Sequence, residues 1–196
     1  MKKIIGIISA SLLMFNAFAQ IETGELAGGD KLNTITTAVP FLLIAPDSKA
    51  GAMGDVGAAT TPDANSLHWN PAKYAFVDND MGLAVSYVPW LRALVPDINL
   101  SYLAGYRKLN DNEAIGMEMR YFSLGDITFT DIVGTTIGQY KPHELALGTS
   151  YARKLSREFS LAISGRYIYS NLTGGQSAGG IETVAGQSIA ADLAGY

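Results

Sequence analysis

Gly51, Gly54 and Gly57 fall at every third position of "KAGAMGDVGAAT", and a glycine-rich loop is a natural place to look for a bound phosphate. Nucleotide loops need G-x-G-x-x-G or G-x-x-x-x-G-K-[ST] where a strand meets a helix. The spacing here is G-x-x-G-x-x-G with no βαβ pattern around it, so no cofactor is expected. A metal would need clustered His, Cys, Asp or Glu. His68 and His143 are the only histidines, they lie far apart in sequence, and there is no cysteine. Each histidine is read as structural, and Asp78-x-Asp80 as a turn. Nucleophilic catalysis needs a serine within reach of a base and an oxyanion hole. Serines are plentiful, but no G-x-S-x-G elbow exists and no triad can be drawn. The chain is read as a non-enzyme.

With no catalytic constellation to place, the elements themselves carry the information. The chain opens "MKKIIGIISASLLMFNAFAQ". Lys2 and Lys3 precede an apolar core of about a dozen residues, and Ala17-Phe18-Ala19 supplies a small-residue cleavage site. A membrane-spanning helix needs roughly 20 apolar residues, so residues 1–19 read as a cleaved signal peptide. Charged residues make up only 16% of the chain and the net charge is -4. An acidic chain of this kind offers no surface for nucleic acid. What remains is an exported, charge-poor, Tyr- and Gly-rich protein, either a secreted sandwich or an outer-membrane barrel.

After residue 80 the pattern alternates with period two. Strands are expected at 81–89, 97–108, 114–122, 144–154, 159–170 and from 188 onward. On 97–108, Ile98, Leu100, Tyr102, Ala104 and Tyr106 share the more apolar face, opposite Asn99, Ser101, Gly105 and Arg107. Later strands repeat the scheme, with Ile115, Met117, Met119 and Tyr121 opposite Gly116, Glu118 and Arg120. The strands are about ten residues long, the length a tilted strand needs to cross a bilayer. The second face is mostly Gly, Ala, Ser and Asn. A sandwich would solvate it with Lys and Glu, whereas a barrel lumen can be small and mixed. In this reading the apolar faces meet lipid. Connections alternate between tight turns (109–113 and 155–158) and longer loops (91–97, 125–141 and 173–187), as a barrel with periplasmic turns and external loops requires. The reading is all-β: an antiparallel transmembrane barrel whose first six or so strands occupy 81–196. Six strands are too few to close such a barrel, so the chain is expected to be the N-terminal part of a longer one.

Residues 20–80 precede the wall as a periplasmic lead-in and plug. Gly51, Gly54 and Gly57 allow tight turns, Asp63 is a candidate N-cap for a helical turn over 63–67, and Asn70-Pro71 fixes a second turn. Trp69 and Phe76 are expected to wedge inside. The segment "APDSKAGAMGDVGAATTPDANSLHWNPAKYAF" closely resembles the N-terminal signature of the PorV family, within the FadL-like barrel group. The matching positions include Gly54, Asp55, Asp63, Asn65, Trp69, Asn70 and Pro71, and the similarity continues through "VPWLRALVPDINLSYLAGYRKL". The resemblance implies a barrel of about 14 strands, within the range of such proteins. It also implies a place in the type IX secretion system, with a SprA-type translocon, a PorU-type sortase and cargo C-terminal domains as partners, in a membrane of lipid and lipopolysaccharide. The resemblance also implies two alternatives: passive transport of hydrophobic molecules, by analogy with FadL, and lipid A deacylation, to which no residue is assigned. In the loop 125–141, Ile127, Phe129, Ile132, Val133 and Ile137 lie beyond the membrane band, where apolar residues mark a contact surface.

Overall fold

The computed structural model describes residues 39–91, 93, 97–130, 133–172, 174, 177–178, 181–182 and 184–196. The expected signal peptide and the lead-in up to residue 38 lie outside the described residues. From Val39 the chain makes a 3-10 turn at Pro40–Leu43 and two short helices, α1 (Ser48–Ala52) and α2 (Ser66–Trp69). A second 3-10 turn, Pro71–Phe76, follows. Then come β1 (Met81–Pro89), β2 (Ile98–Asn110), β3 (Glu113–Leu124), β4 (Ile127–Thr130), β5 (Thr136–Tyr140), β6 (His143–Lys154), β7 (Ser160–Asn171), β8 (Ser177–Ala178), β9 (Ile181–Glu182) and β10 (Gly186–Gly195).

Six strands form one antiparallel sheet in the order β1-β2-β3-β6-β7-β10, so neighbours in the chain are neighbours in space. The sheet is not closed; β1 and β10 are its edges. Two of the expected loops carry strands of their own: β4 and β5 form a hairpin between β3 and β6, and β8 and β9 a smaller one between β7 and β10. The tight turns fall where expected, with only Asp111 and Asn112 between β2 and β3.

Alternation assigns the faces. Successive side chains on a strand point to opposite sides. On β3, Ile115, Met117, Met119 and Tyr121 are exposed while Ala114, Glu118, Arg120 and Phe122 are buried. The register carries this across the sheet: Arg120 lies opposite Tyr102 on β2 and Ala146 on β6, and Ala146 lies opposite Ile168 on β7. Large apolar side chains recur along the outward face, with Leu83, Val85, Leu103, Met117, Ile163 and Leu193 all exposed.

On β2 the expectation fails. Leu100, Tyr102 and Ala104 are buried on the inner side, while Ser101, Leu103 and Gly105 lie opposite the outward-facing Tyr87, Val85 and Leu83. The inner face there is covered by protein instead of water and needs apolar mass of its own. Hydrophobicity alone therefore picks the wrong side of this strand.

Residues 39–77 provide that cover. The 3-10 turn Pro71–Phe76 touches β2, β3, β6, β7 and β10, as a short element does when a sheet curls around it. Two apolar clusters result. One joins Leu67, Ala72, Tyr74, Ala75 and Val77 to Ala114, Ala152 and Ala162. The other joins Phe41 to Leu100, Phe122, Ala146 and Ile168. Gly116 sits under the Tyr74 ring, where any Cβ would collide with it. Trp69 and Phe76, expected to supply the wedge, are only partly buried. Tyr74, Leu67 and Phe41 fill the interior instead, because Trp69 and Phe76 make polar or edge contacts at the rim.

Candidate functional site

The covering segment is built from capped pieces. Asp47 caps α1 by accepting from Ala50 N–H at 2.7 Å. At the other end Gly54 (φ 79°) and Asp55 (φ 59°) turn left-handed. Their amides return to the carbonyls of Gly51 and Ala50 at 3.3 and 2.8 Å, the 6→1 and 5→2 bonds of a Schellman stop. The glycine at 54 is thus used for its positive φ, and Asp55 shares the strain. Gly51 is a solvent-facing helical residue. Gly57 is required by close approach, since its missing Cβ leaves room for the Trp69 indole. That indole donates to Asp47 Oδ2 at 3.1 Å, so one carboxylate caps α1 and ties it to α2.

Asp63 is not the formal cap of α2. Asn65 holds that position without a side-chain bond, and Asp63 Oδ1 accepts from Asn65 N–H at 3.0 Å. The turn forms two residues earlier than a capping box would place it, because Asp63 closes an Asx-type turn first. Asn70 caps the second 3-10 turn through Ala72 N–H at 3.0 Å, with Pro71 at its first position. Its amide also donates to Gly195 O at 2.9 Å, reaching the edge strand β10. Lys73, fully buried, ends on neutral oxygens: Gly57 O at 2.8 Å and Thr60 Oγ1 at 3.0 Å. Loss of hydration lowers its pKa, opposed by Asp63.

Between the two apolar clusters lies a charged layer. The Glu118 carboxylate, buried on β3, accepts from Tyr102 Oη at 3.1 Å, Arg120 Nη2 at 3.3 Å and Arg166 Nε at 3.2 Å. Arg166 also approaches the half-exposed Asp192 on β10 at 3.6 Å. Arg120, 1% exposed, turns back to the covering segment. Its Nη1 donates to Leu42 O at 3.0 Å and its Nη2 to His68 Nδ1. The imidazole must therefore be neutral, protonated on Nε2. Burial, then the Arg120 and Arg166 charges, lower its pKa to about 3. Arg120 Nε has no partner among the described residues. This layer locks the segment to the wall and gives it one register, a role buried ion pairs are known to fill.

None of Glu118, Arg120, Arg166 or Tyr102 was singled out from sequence as a site residue. The available signal was the pair Glu118 and Arg120 two apart in "MEMRYF": if one side of a strand meets lipid, its charges must all point the other way. The histidines occupy unrelated surroundings. His143 opens β6 between the rings of Tyr121 and Tyr169, at 5.8 and 6.1 Å. Neither histidine is hydrogen-bonded to a serine among the described residues; Ser160 Oγ donates to Ala72 O at 2.7 Å and Ser170 Oγ to Glu144 at 2.7 Å.

The second candidate region is the β4–β5 hairpin. Ile127 is 40% and Val133 84% exposed. Phe129 pairs with Gly138 along the backbone, and the register shift beside it leaves Ile137 without an opposite residue. Ile132 lies outside the described residues. The hairpin base is fixed by Asp97 Oδ2, which accepts Asp126 N–H at 2.7 Å, and by Tyr140 Oη donating to Asn171 O at 3.3 Å. Loops from three connections thus meet at one end of the sheet.

The family described as Type IX secretion system protein PorV matches residues 27–196. The chain belongs to the PorV family. No curated protein matches it. The matched span takes in the covering segment, the charged layer and the hairpin, and the family places the chain's role in type IX secretion.

Proposed function

We propose that the chain forms part of an outer-membrane barrel that binds the translocon of the type IX system, takes up cargo bearing a C-terminal secretion signal and passes it to the sortase and attachment complex. Residues 39–77 act as the plug, and the β4–β5 hairpin, with Ile127, Phe129, Ile132, Val133 and Ile137, is the partner-contact surface. The observation that carries the reading is the hairpin: an apolar element held in place by Asp97 and Tyr140 at the end of an otherwise lipid-suited wall. Apolar surface kept exposed on a braced element marks a contact site. The interior supports a docking component over a conduit, because a neutralised charged layer and two apolar clusters fill it. Removing residues 127–137 from the full-length protein tests the assignment. Co-purification with translocon or cargo should fall while the barrel keeps its heat-modifiable gel mobility; undiminished co-purification rejects the hairpin as the contact.

A further inference from the structure

Residues 40–44 lie on the inner wall as a bound peptide would. The Phe41 ring is buried against Leu100, Ala146 and Ile168 and stacks on Phe122, with centroids 6.2 Å apart and planes 6° from parallel. One residue on, the Leu42 carbonyl accepts from Arg120 Nη1 at 3.0 Å. Arg120 Nε, buried beside this bond, remains an unused donor among the described residues. A ring recess next to a guanidinium that reads a backbone carbonyl is peptide-recognition chemistry.

The occupant is held less firmly than the rest of the segment. Val39, at its head, has φ 59° and ψ 61°, a left-handed conformation that a β-branched residue adopts only under strain. Leu43 is 75% exposed. A cavity of about 570 Å³, bounded by Pro40, Leu43, Ile44, Tyr87, Val88 and Trp90, lies alongside and offers space for the turn of residues 40–44 to move into. Its neighbours are anchored separately: Asp47 by the cap and the Trp69 indole, and Tyr74 by its cluster and a bond to Ala64 O at 2.8 Å.

We propose that the recess formed by Leu100, Phe122, Ala146, Ile168 and Arg120 is a binding site for a polypeptide segment carrying an aromatic side chain, and that Phe41 and Leu42 fill it as an internal stand-in that such a segment displaces. The strained Val39 lowers the cost of leaving, and the adjacent cavity receives the displaced strap. The site is defined by the recess alone; the secretion role bears only on where the incoming polypeptide originates.

Residues 1–196 hold no cysteine, so a thiol introduced among them is read against the same protein without it. Ala146 lies under Phe41, and Ala152 under the other cluster; both are fully buried. In the full-length protein in detergent, Ala146→Cys should resist a polar maleimide and Ala152→Cys should resist it equally. Adding Phe41→Ala should speed labelling of Ala146→Cys by at least about tenfold, the factor that roughly 1.4 kcal/mol of lost closure represents, and leave Ala152→Cys protected. Excess acetyl-Pro-Phe-Leu-Leu-amide should restore protection at position 146. Ile168→Cys gives the same readout should Ala146→Cys fail to fold. Labelling at both clusters, no gain at position 146, or protection by dodecanoate but not by the peptide would each overturn the proposal. Because no translocon is present in the assay, its failure leaves the hairpin assignment standing, and the converse holds.

Discussion

At Gly57 a single hydrogen atom decides whether α1 and α2 can be joined. Replacing it with valine drives carbon into the Trp69 indole, a ring held in place by its bond to Asp47. Overpacking of this kind costs about 1–3 kcal/mol, and Gly57→Val should lower the thermal midpoint of the detergent-solubilised protein accordingly. His68 gives a second residue-scale test. Its pKa is depressed in the folded state from 6.5 to about 3, so folding favours the neutral ring. The stabilisation is complete above pH 6.5 and drains away as pH falls from there towards about 3, because the unfolded chain takes up the proton first. His68→Gln, which can still accept from Arg120, should flatten stability across that window; an unchanged acid slope would show that other groups dominate. Among the site residues read from sequence, Gly54, Gly57, Asn70 and Pro71 have local roles that residue type announces. The long-range roles of Lys73, Asp47 and Arg120 were not legible, because Thr60, Trp69 and Leu42, which they meet, lie 13, 22 and 78 positions away.

Among the elements, β3 carries the greatest burden. It presents lipid-suited Met117 and Met119 outward and the ionic pair Glu118–Arg120 inward. Arg120→Ala would leave Glu118 with Arg166 and Tyr102 and release both Leu42 and His68. Breaking one side of a buried ion pair costs roughly 3–5 kcal/mol, so the variant should unfold at markedly lower denaturant than wild type. The hairpin β4–β5 predicts the opposite profile. Ile127→Asp with Val133→Asp should leave stability within about 0.5 kcal/mol, as exposed substitutions generally do, while reducing partner capture. Strand positions were readable from alternation, since a period of two survives whatever lies on either side. The orientation of β2 was not, because its inner face, covered by residues 39–77, is more apolar than the outward face with Ser101, Leu103 and Gly105. The β4–β5 hairpin was hidden for a different reason: "ITFT" and "TIGQY" are too short to show a period.

For the whole molecule, the outward face is the feature that separates a membrane wall from a soluble sheet. An arginine on an exposed strand position of a water-soluble protein is nearly silent. At the midplane of a lipid-facing wall it costs about 2–4 kcal/mol. Met117→Arg, at a position 67% exposed, should therefore impair membrane assembly and leave less protein in the sedimented membrane fraction. Full assembly of that variant would refute lipid contact at this face.

The chain also writes its filling before its container. Residues 39–77 leave the ribosome first, yet the surfaces that receive them are spread over strands reaching from residue 98 to residue 195. A hydrophobic core so far ahead of its mould cannot condense early, and Tyr74 and Phe41 must travel unsheltered until the last of those strands has been laid down. Time spent in that naked condition, when a holdase would have to shield it, is built into the order of the sequence.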